Sequence, residues 1–440
     1  MKKRVNALLT LTLLAFTVLA LASPVLNAAE QAAGQAAEKD SLAMDSASDD
    51  KAGEATAPLK VFILAGQSNM QGHAHIKTFD AMSLDPKTAP ILEEMRNADG
   101  TPRVCEKAWI SSIGCAEEEQ TGKLTAGFGA KARDPKIGPE FTFGIYMRKL
   151  VDEPILIIKT AWGGKSLHTD FRPPSAGSYE FNETQLERFK NQEKDIEAIK
   201  AEKAAATGHY YRLMIDHVKK VLADIKRVCP DYDPNQGYEL AGFVWFQGWN
   251  DMVDRGTYPK RGEPGGYDKY SEVLAHFIRD VRQDLSAPKL PFVIGVMGVN
   301  GPIDKYPPEQ QRYADIHHNF RRAMAAPADL PEFEDNVVAV LTEEYWDMQV
   351  VKLRAREKKI KPKKDEINNK MEEGRISREE GKAALERLYA ETFTPRELAI
   401  LQDSTSNFDF HYMGSAKIMA QIGKGFAEAI VKVMDKQDHE

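Results

Sequence analysis

A serine placed directly after a short apolar run is the first residue here whose surroundings suit chemistry. Leu59-Lys60-Val61-Phe62-Ile63-Leu64 has the composition of a buried strand, and Ala65-Gly66-Gln67-Ser68-Asn69-Met70-Gln71-Gly72 follows it. A serine at the carboxyl end of a strand, beside a glycine that permits a sharp turn, is where α/β enzymes carry a nucleophile. Gln67 and Asn69 flank it and are candidates for the oxyanion or substrate. The competing reading is a strand-to-helix turn in which Ser68 only caps the helix. A nucleophilic serine needs a base of near-neutral pKa, and free imidazole titrates at about 6.5. Among ten histidines, His411 stands out within Asn407-Phe408-Asp409-Phe410-His411-Tyr412-Met413-Gly414-Ser415-Ala416. A carboxylate two positions earlier, Asp409, could orient its ring and stabilise the imidazolium.

Two more segments supply what such a serine would require. Ile157-Ile158-Lys159-Thr160-Ala161 runs into Trp162-Gly163-Gly164-Lys165. A Gly-Gly turn can present backbone N–H groups at close range, because no side chain blocks the approach. Val244-Trp245-Phe246 runs into Gln247-Gly248-Trp249-Asn250-Asp251. There Gln247 or Asn250 could donate a side-chain N–H to an oxyanion, or could satisfy its own loop backbone instead. Trp162 and Trp249 are candidates for stacking on a sugar ring, with ordinary packing as the alternative.

These residues need elements to hold them. Five short runs have the look of buried strands: Lys60–Ala65, Pro154–Lys159, Ala241–Phe246, Pro291–Met297 and Asn336–Leu341. Few of them alternate, which suits a mostly parallel sheet covered on both faces. Helical stripes recur between them, over Tyr210–Val228, Tyr270–Leu285 and Ser415–Met434. Strands alternating with helices predict a three-layer α/β/α domain with a five-stranded sheet. Two regions break the rhythm. Ala81–Gly138 is long and irregular, and reads as loops over one end of the sheet. Val351–Glu397 is dense in Lys, Arg and Glu, and reads as a charged helical hairpin with a capping box at Ser377 and Glu380.

The N-terminus has a different character. Met1-Lys2-Lys3-Arg4 precedes an uncharged apolar run from Ala7 to Leu21 and small residues at Ala28-Ala29. This is the pattern of a secretory signal peptide, 1–28, and implies a secreted or periplasmic protein. The run is shorter than the roughly 20 residues of a membrane span. Residues 29–57 lack a hydrophobic period and read as a linker, leaving 58–436 as the folded domain. With 440 residues, 42% hydrophobic, the chain can build a large core. Its net charge of -7 gives no basic face for nucleic acid. The three cysteines, Cys105, Cys115 and Cys229, have no zinc-site spacing. Either Cys105 and Cys115 close a short disulfide, or all three are free.

Taken together, Gly-Gln-Ser-Asn-Met after the first strand, Trp-Gly-Gly after the second, Trp-x-Gln-Gly after the third and a C-terminal His-Tyr-x-Gly-Ser-Ala-Lys resemble the sialate O-acetylesterase domain. That group includes the acetyl xylan esterases of carbohydrate esterase family six, within the SGNH hydrolases. The resemblance spans about Leu59–Lys432, the charged insertion excepted. It implies a flavodoxin-like α/β/α fold and hydrolysis of acetyl esters on carbohydrate, sialate or polysaccharide, with neither metal nor cofactor. Ser68 would be the nucleophile and His411 the base, with Gly164 or Gly163 at the oxyanion. The chain departs from the family twice. Trp249 replaces the Glu of the third motif, so Gln247 and Asn250 both remain candidates. Phe408 stands where many relatives carry the acid three residues before the histidine, which makes Asp409 the first choice, with Glu343, Glu344 and Asp347 as alternatives. Those departures also leave room for a glycan-binding protein without turnover, or an esterase for other esters.

Overall fold

The computed structural model describes residues 57–438. The signal peptide 1–28, and all but the last residue of the linker 29–57, lie outside the described residues. Among the described residues nine strands form in chain order: β1 (Leu59–Gly66), β2 (Ala74–His75), β3 (Ala108–Ile113), β4 (Gln120–Lys123), β5 (Lys136–Ile137), β6 (Ile155–Ala161), β7 (Tyr238–Phe246), β8 (Phe292–Val296) and β9 (Val337–Leu341). Seven make one sheet in the order β4-β3-β6-β1-β7-β8-β9, parallel except at β4; β2 and β5 pair separately. The expected count of five is therefore corrected to seven. Both added strands come from the stretch read as loops. β3 sits inside an irregular segment, and β4 is a short, polar edge strand with no hydrophobic signal to betray it.

The helices that matter for the site are α1 (Ser68–Gln71), α2 (Pro139–Leu150), α3 (His209–Ala223), α4 (Trp249–Val253), α5 (Asp268–Asp284), α6 (Met348–Glu372), α7 (Arg378–Thr392) and α8 (Ala416–Asp438). Alternation along the strands divides the layers. Phe62 meets Phe143 of α2 and Phe246 meets Phe426 of α8, each at 5.4 Å between ring centroids. On the opposite face Phe243 and Trp245 meet Phe277 of α5, at 6.0 and 4.3 Å. Phe62, Ile63, Leu64, Ile157 and Val244 are wholly buried, and each such aliphatic or aromatic side chain contributes about 1.5–3 kcal/mol. The fold is thus the α/β/α sandwich expected. The charged segment forms α6 and α7 packed on each other, with the capping box at Ser377 and Glu380 in place. No described helix is long and apolar enough to cross a membrane. Cys105, Cys115 and Cys229 are buried and free, so no Cys105–Cys115 bridge forms.

One ion pair lies in the core beneath α1. Lys159, on β6, is fully buried; its Nζ donates to Glu140 Oε2 at 2.7 Å, to the carbonyl of Gln71 at 2.8 Å and to that of Phe128 at 2.9 Å. Glu140 Oε1 accepts from the Gly138 N–H at 2.9 Å. Breaking one side of such a pair leaves a buried charge without a partner, a loss of about 3–5 kcal/mol. Lys159→Met should therefore destabilise by that amount in urea unfolding, whereas Lys159→Met with Glu140→Leu should recover part of the loss. A double variant no more stable than the single one would contradict this reading.

Candidate functional site

Three turns leave the sheet at one edge. Gly66 pairs with Ala161 on one side and Phe246 on the other, so the carboxyl ends of β6, β1 and β7 lie level. Ligands of open α/β sheets bind outside such strand ends. The turn after β1 carries Ser68, partly exposed at the first position of α1. It does not cap the helix: the cap position is Gln67, and no side chain caps there. Ser68 Oγ instead donates to Gln67 Oε1. Gln67 Nε2 and Asn69 Oδ1 are buried without hydrogen-bond partners. A half-turn of the Gln67 amide would make it a donor to Ser68 Oγ and free the hydroxyl proton for another acceptor.

The turn after β6 brings Gly163 beside this serine. Trp162 N–H bonds to the Gly66 carbonyl at 3.2 Å. A Cβ added at Gly163 would lie 3.0 Å from Gln71 Oε1 and 4.0 Å from Ser68 Cβ, whereas Gly164 faces open space. Of the two glycines, Gly163 is therefore the one packed against Ser68. Among the described residues, neither the Ser68 nor the Gly163 backbone N–H enters a backbone hydrogen bond. Trp162 packs edge-on against Tyr210 at 5.2 Å.

The turn after β7 separates its two amides. Gln247 is buried, with Nε2 committed to the Lys165 carbonyl at 3.0 Å and to Asp251 Oδ2 at 2.5 Å, and Oε1 accepting from Tyr270 at 3.1 Å. Its N–H groups are spent inside the protein. Asn250 is partly exposed and its side chain makes no hydrogen bond to the described residues, which leaves it free to donate. Asp251 has a role the sequence reading missed. Its carboxylate accepts from the Leu167 N–H at 2.8 Å, the His168 N–H at 3.0 Å and Tyr258 Oη at 3.2 Å, tying the glycine turn to the end of β7.

His411 arrives on a tight turn, Asp409–Gly414, that packs against α1. Tyr412 and Met413 take left-handed backbone angles, φ 52° and 59°, a conformation that costs non-glycine residues about 1–2 kcal/mol each. Anchoring offsets this: Tyr412 is buried, accepts from the Gly298 N–H at 2.8 Å and meets Thr342 Oγ1 at 2.7 Å. His411 Nδ1 lies 3.0 Å from Asn407 Oδ1, and the Phe408 N–H donates to that same oxygen at 2.8 Å. A backbone N–H fixes which atom of the Asn407 amide is the acceptor. The imidazole proton must therefore sit on Nδ1, leaving the lone pair on Nε2 to accept a proton.

The carboxylates expected behind this histidine lie elsewhere. Asp409 is corrected first: it is half-exposed and bonds Arg354 of α6 at 2.7 Å. Arg354 also reaches Thr405 Oγ1 at 3.2 Å, so the charged hairpin braces the histidine turn from outside. Glu343 pairs with Arg321, Glu344 is exposed, and Asp347 caps α6 and pairs with Lys417 at 2.9 Å. A tight turn directs successive side chains apart, and sequence nearness gave no guide to direction.

A second imidazole was also missed. The His73 ring stacks on His411, with centroids 3.8 Å apart and planes 1° from parallel, and among the described residues neither His73 nitrogen has a hydrogen-bond partner. Burial, then the Lys136 charge, hold His411 down to about 4. Burial and the neighbouring His411 hold His73 down to about 3. Among the described residues, no group of three or more His, Cys, Asp or Glu is placed to hold a metal.

Fold and site define a class, an α/β/α protein with serine, glycine and histidine turns meeting at one sheet edge. The chain belongs to the carbohydrate esterase, sialic acid-specific acetylesterase family, whose model matches residues 58–337. The match takes in Ser68, Gly163 and Asn250 and ends before the His411 turn. No curated protein matches the chain. Solved structures with distant likeness include a protein of Arabidopsis thaliana, 16% identical, with 65% of this chain and 86% of that one covered and a TM-score of 0.34. A carbohydrate acetylesterase from Xanthomonas citri is 14% identical, over 64% of this chain and 49% of that one, at 0.34. NanS is 13% identical, over 64% and 78%, at 0.35.

Titration of ¹³C-labelled histidines by NMR checks the electrostatics. The His411 resonance should move with a midpoint near 4. Asn407→Asp places a carboxylate at Nδ1, favours the imidazolium and should raise that midpoint. A wild-type midpoint near the free-imidazole value of about 6.5 would contradict the account.

Proposed function

We propose that this protein is a secreted or periplasmic serine esterase that removes O-acetyl groups from carbohydrate through an acyl-enzyme. The carrying observation is His411, whose proton is fixed on Nδ1 by Asn407 and whose Nε2 is left unprotonated on a turn packed against α1. In the proposed reaction Ser68 Oγ turns from Gln67, attacks the acetyl carbonyl and passes its proton to His411 Nε2. The oxyanion forms against the Ser68 and Gly163 N–H groups and the Asn250 amide. As the C–O bond of the tetrahedral intermediate breaks, His411 passes the proton to the departing sugar oxygen, which leaves as the hydroxyl; it then activates water to release acetate and restore Ser68. Each oxyanion donor of this kind contributes about 3–4 kcal/mol in the transition state. The N-terminal signal-peptide pattern supports export, and the family supports an acetylated glycan, sialate or polysaccharide.

A second reading, a glycan-binding protein of the same fold with impaired turnover, is favoured by one observation: the Ser68 hydroxyl is directed at Gln67, and a neutral amide stands behind His411.

Acetate release separates the two. Ser68→Ala should abolish turnover of acetylated xylan and p-nitrophenyl acetate, and a wild type that binds glycan without releasing acetate would support the second reading. Asn250→Ala should lower kcat about 10²–10³-fold while leaving stability intact. A base with a pKa near 4 is already unprotonated at pH 5, so kcat/KM should be level from pH 5 to 8 and fall below that range. A fall through about 6.5 instead would exclude His411 as the base in this environment.

A further inference from the structure

Three aromatic rings form a ladder beside His411 that the reaction itself does not use. Trp249, at the start of α4, lies 5.5 Å from Phe410 with planes 30° apart. Phe410 lies 5.3 Å from Phe408 at 11°, and 4.5 Å edge-on from the His411 ring. Phe408 is 69% exposed, the most exposed of the large apolar side chains described. An exposed phenylalanine stacked on Phe410, which itself stacks on Trp249, has a defined orientation and gains little from burial, so folding alone does not account for it.

We propose that Trp249, Phe410 and Phe408 form a stacking platform for the pyranose ring that bears the ester, and that Phe408 sets the preference for sugar over small esters. This rests on the esterase reading above. The axial C–H face of a pyranose is apolar and matches an aromatic face, while its hydroxyls remain free for polar partners. Polar residues adjoin the platform in sequence: Asn250 with its uncommitted amide follows Trp249, and Asp409, paired with Arg354, lies between Phe408 and Phe410. Phe410 touches the His411 ring edge-on, so the ladder adjoins the proposed base.

The test compares two substrates in one protein: a mono-O-acetylated methyl xylopyranoside, which has a ring to stack, and ethyl acetate, which has none. In Phe408→Ala the ratio of kcat/KM for the sugar ester to that for ethyl acetate should fall roughly tenfold, through KM. Phe408→Tyr, which keeps a ring, should restore the ratio. An unchanged ratio, or an equal loss on both substrates, would overturn the proposal. Calorimetric binding of the same xyloside to Ser68→Ala, with and without Phe408→Ala, reads the platform without turnover. Weaker binding in the double variant would uphold the platform even where wild-type protein hydrolyses neither ester, a result that would sink the esterase reading alone.

Discussion

The placement of Ser68 depends on one buried ammonium. A four-residue helix cannot satisfy its own terminal carbonyls, and α1 ends where water is excluded. Lys159 answers both needs: it donates to the Gln71 carbonyl that closes α1 and to the Phe128 carbonyl across the way. Glu140 balances its charge and holds the Gly138 N–H. That bond keeps Gly138 against Gly72, where the backbones approach so closely that a Cβ on Gly72, at φ 84°, would collide with Gly138. Removing the lysine would leave the acid, two carbonyls and the turn without a common partner. The pair therefore acts as the seat of the candidate nucleophile, and its electrostatics follow from that task rather than from net stability.

The other two turns are held by different means, and the difference has consequences. A carboxylate, Asp251, holds the glycine turn. A neutral amide, Asn407, holds the histidine. The amide selects the tautomer as a carboxylate would, but offers no charge to stabilise an imidazolium. With burial and Lys136 also opposing protonation, the His411 imidazole stays neutral well into the acid range and would be a weaker base for it. Stacked beside it, His73 is held neutral by the same surroundings. The Asp409 carboxylate is turned outward to Arg354, so α6 and the histidine turn are mechanically connected.

Much of this was legible in the sequence. Buried parallel strands announce themselves as unbroken apolar runs, and each of the five runs became a strand. β4 did not, because Gln120–Lys123 is polar and pairs only at the sheet edge. Motif spacing placed Ser68, Gly163 and Asn250 at neighbouring strand ends, since register puts Ala161, Gly66 and Phe246 side by side. What spacing cannot give is side-chain direction. Before the Asp409–Gly414 turn closes, the residue four positions ahead of His411 reaches its ring, while the residue two ahead turns outward to Arg354. Gln247 and Asn250 differ in burial, which spacing does not show: one amide is enclosed by Asp251, Lys165 and Tyr270, and the other is partly exposed.

The central claim, that Ser68 on its lysine-seated turn is the group that takes the acyl chain, is open to one direct measurement. The protein would be incubated with diethyl p-nitrophenyl phosphate, which phosphorylates activated serines, and digested for peptide mass spectrometry. The account predicts a single diethylphosphoryl adduct on Ser68, with acetate release lost in step with its formation. An adduct on another residue, or full labelling of Ser68 with activity retained, would contradict it.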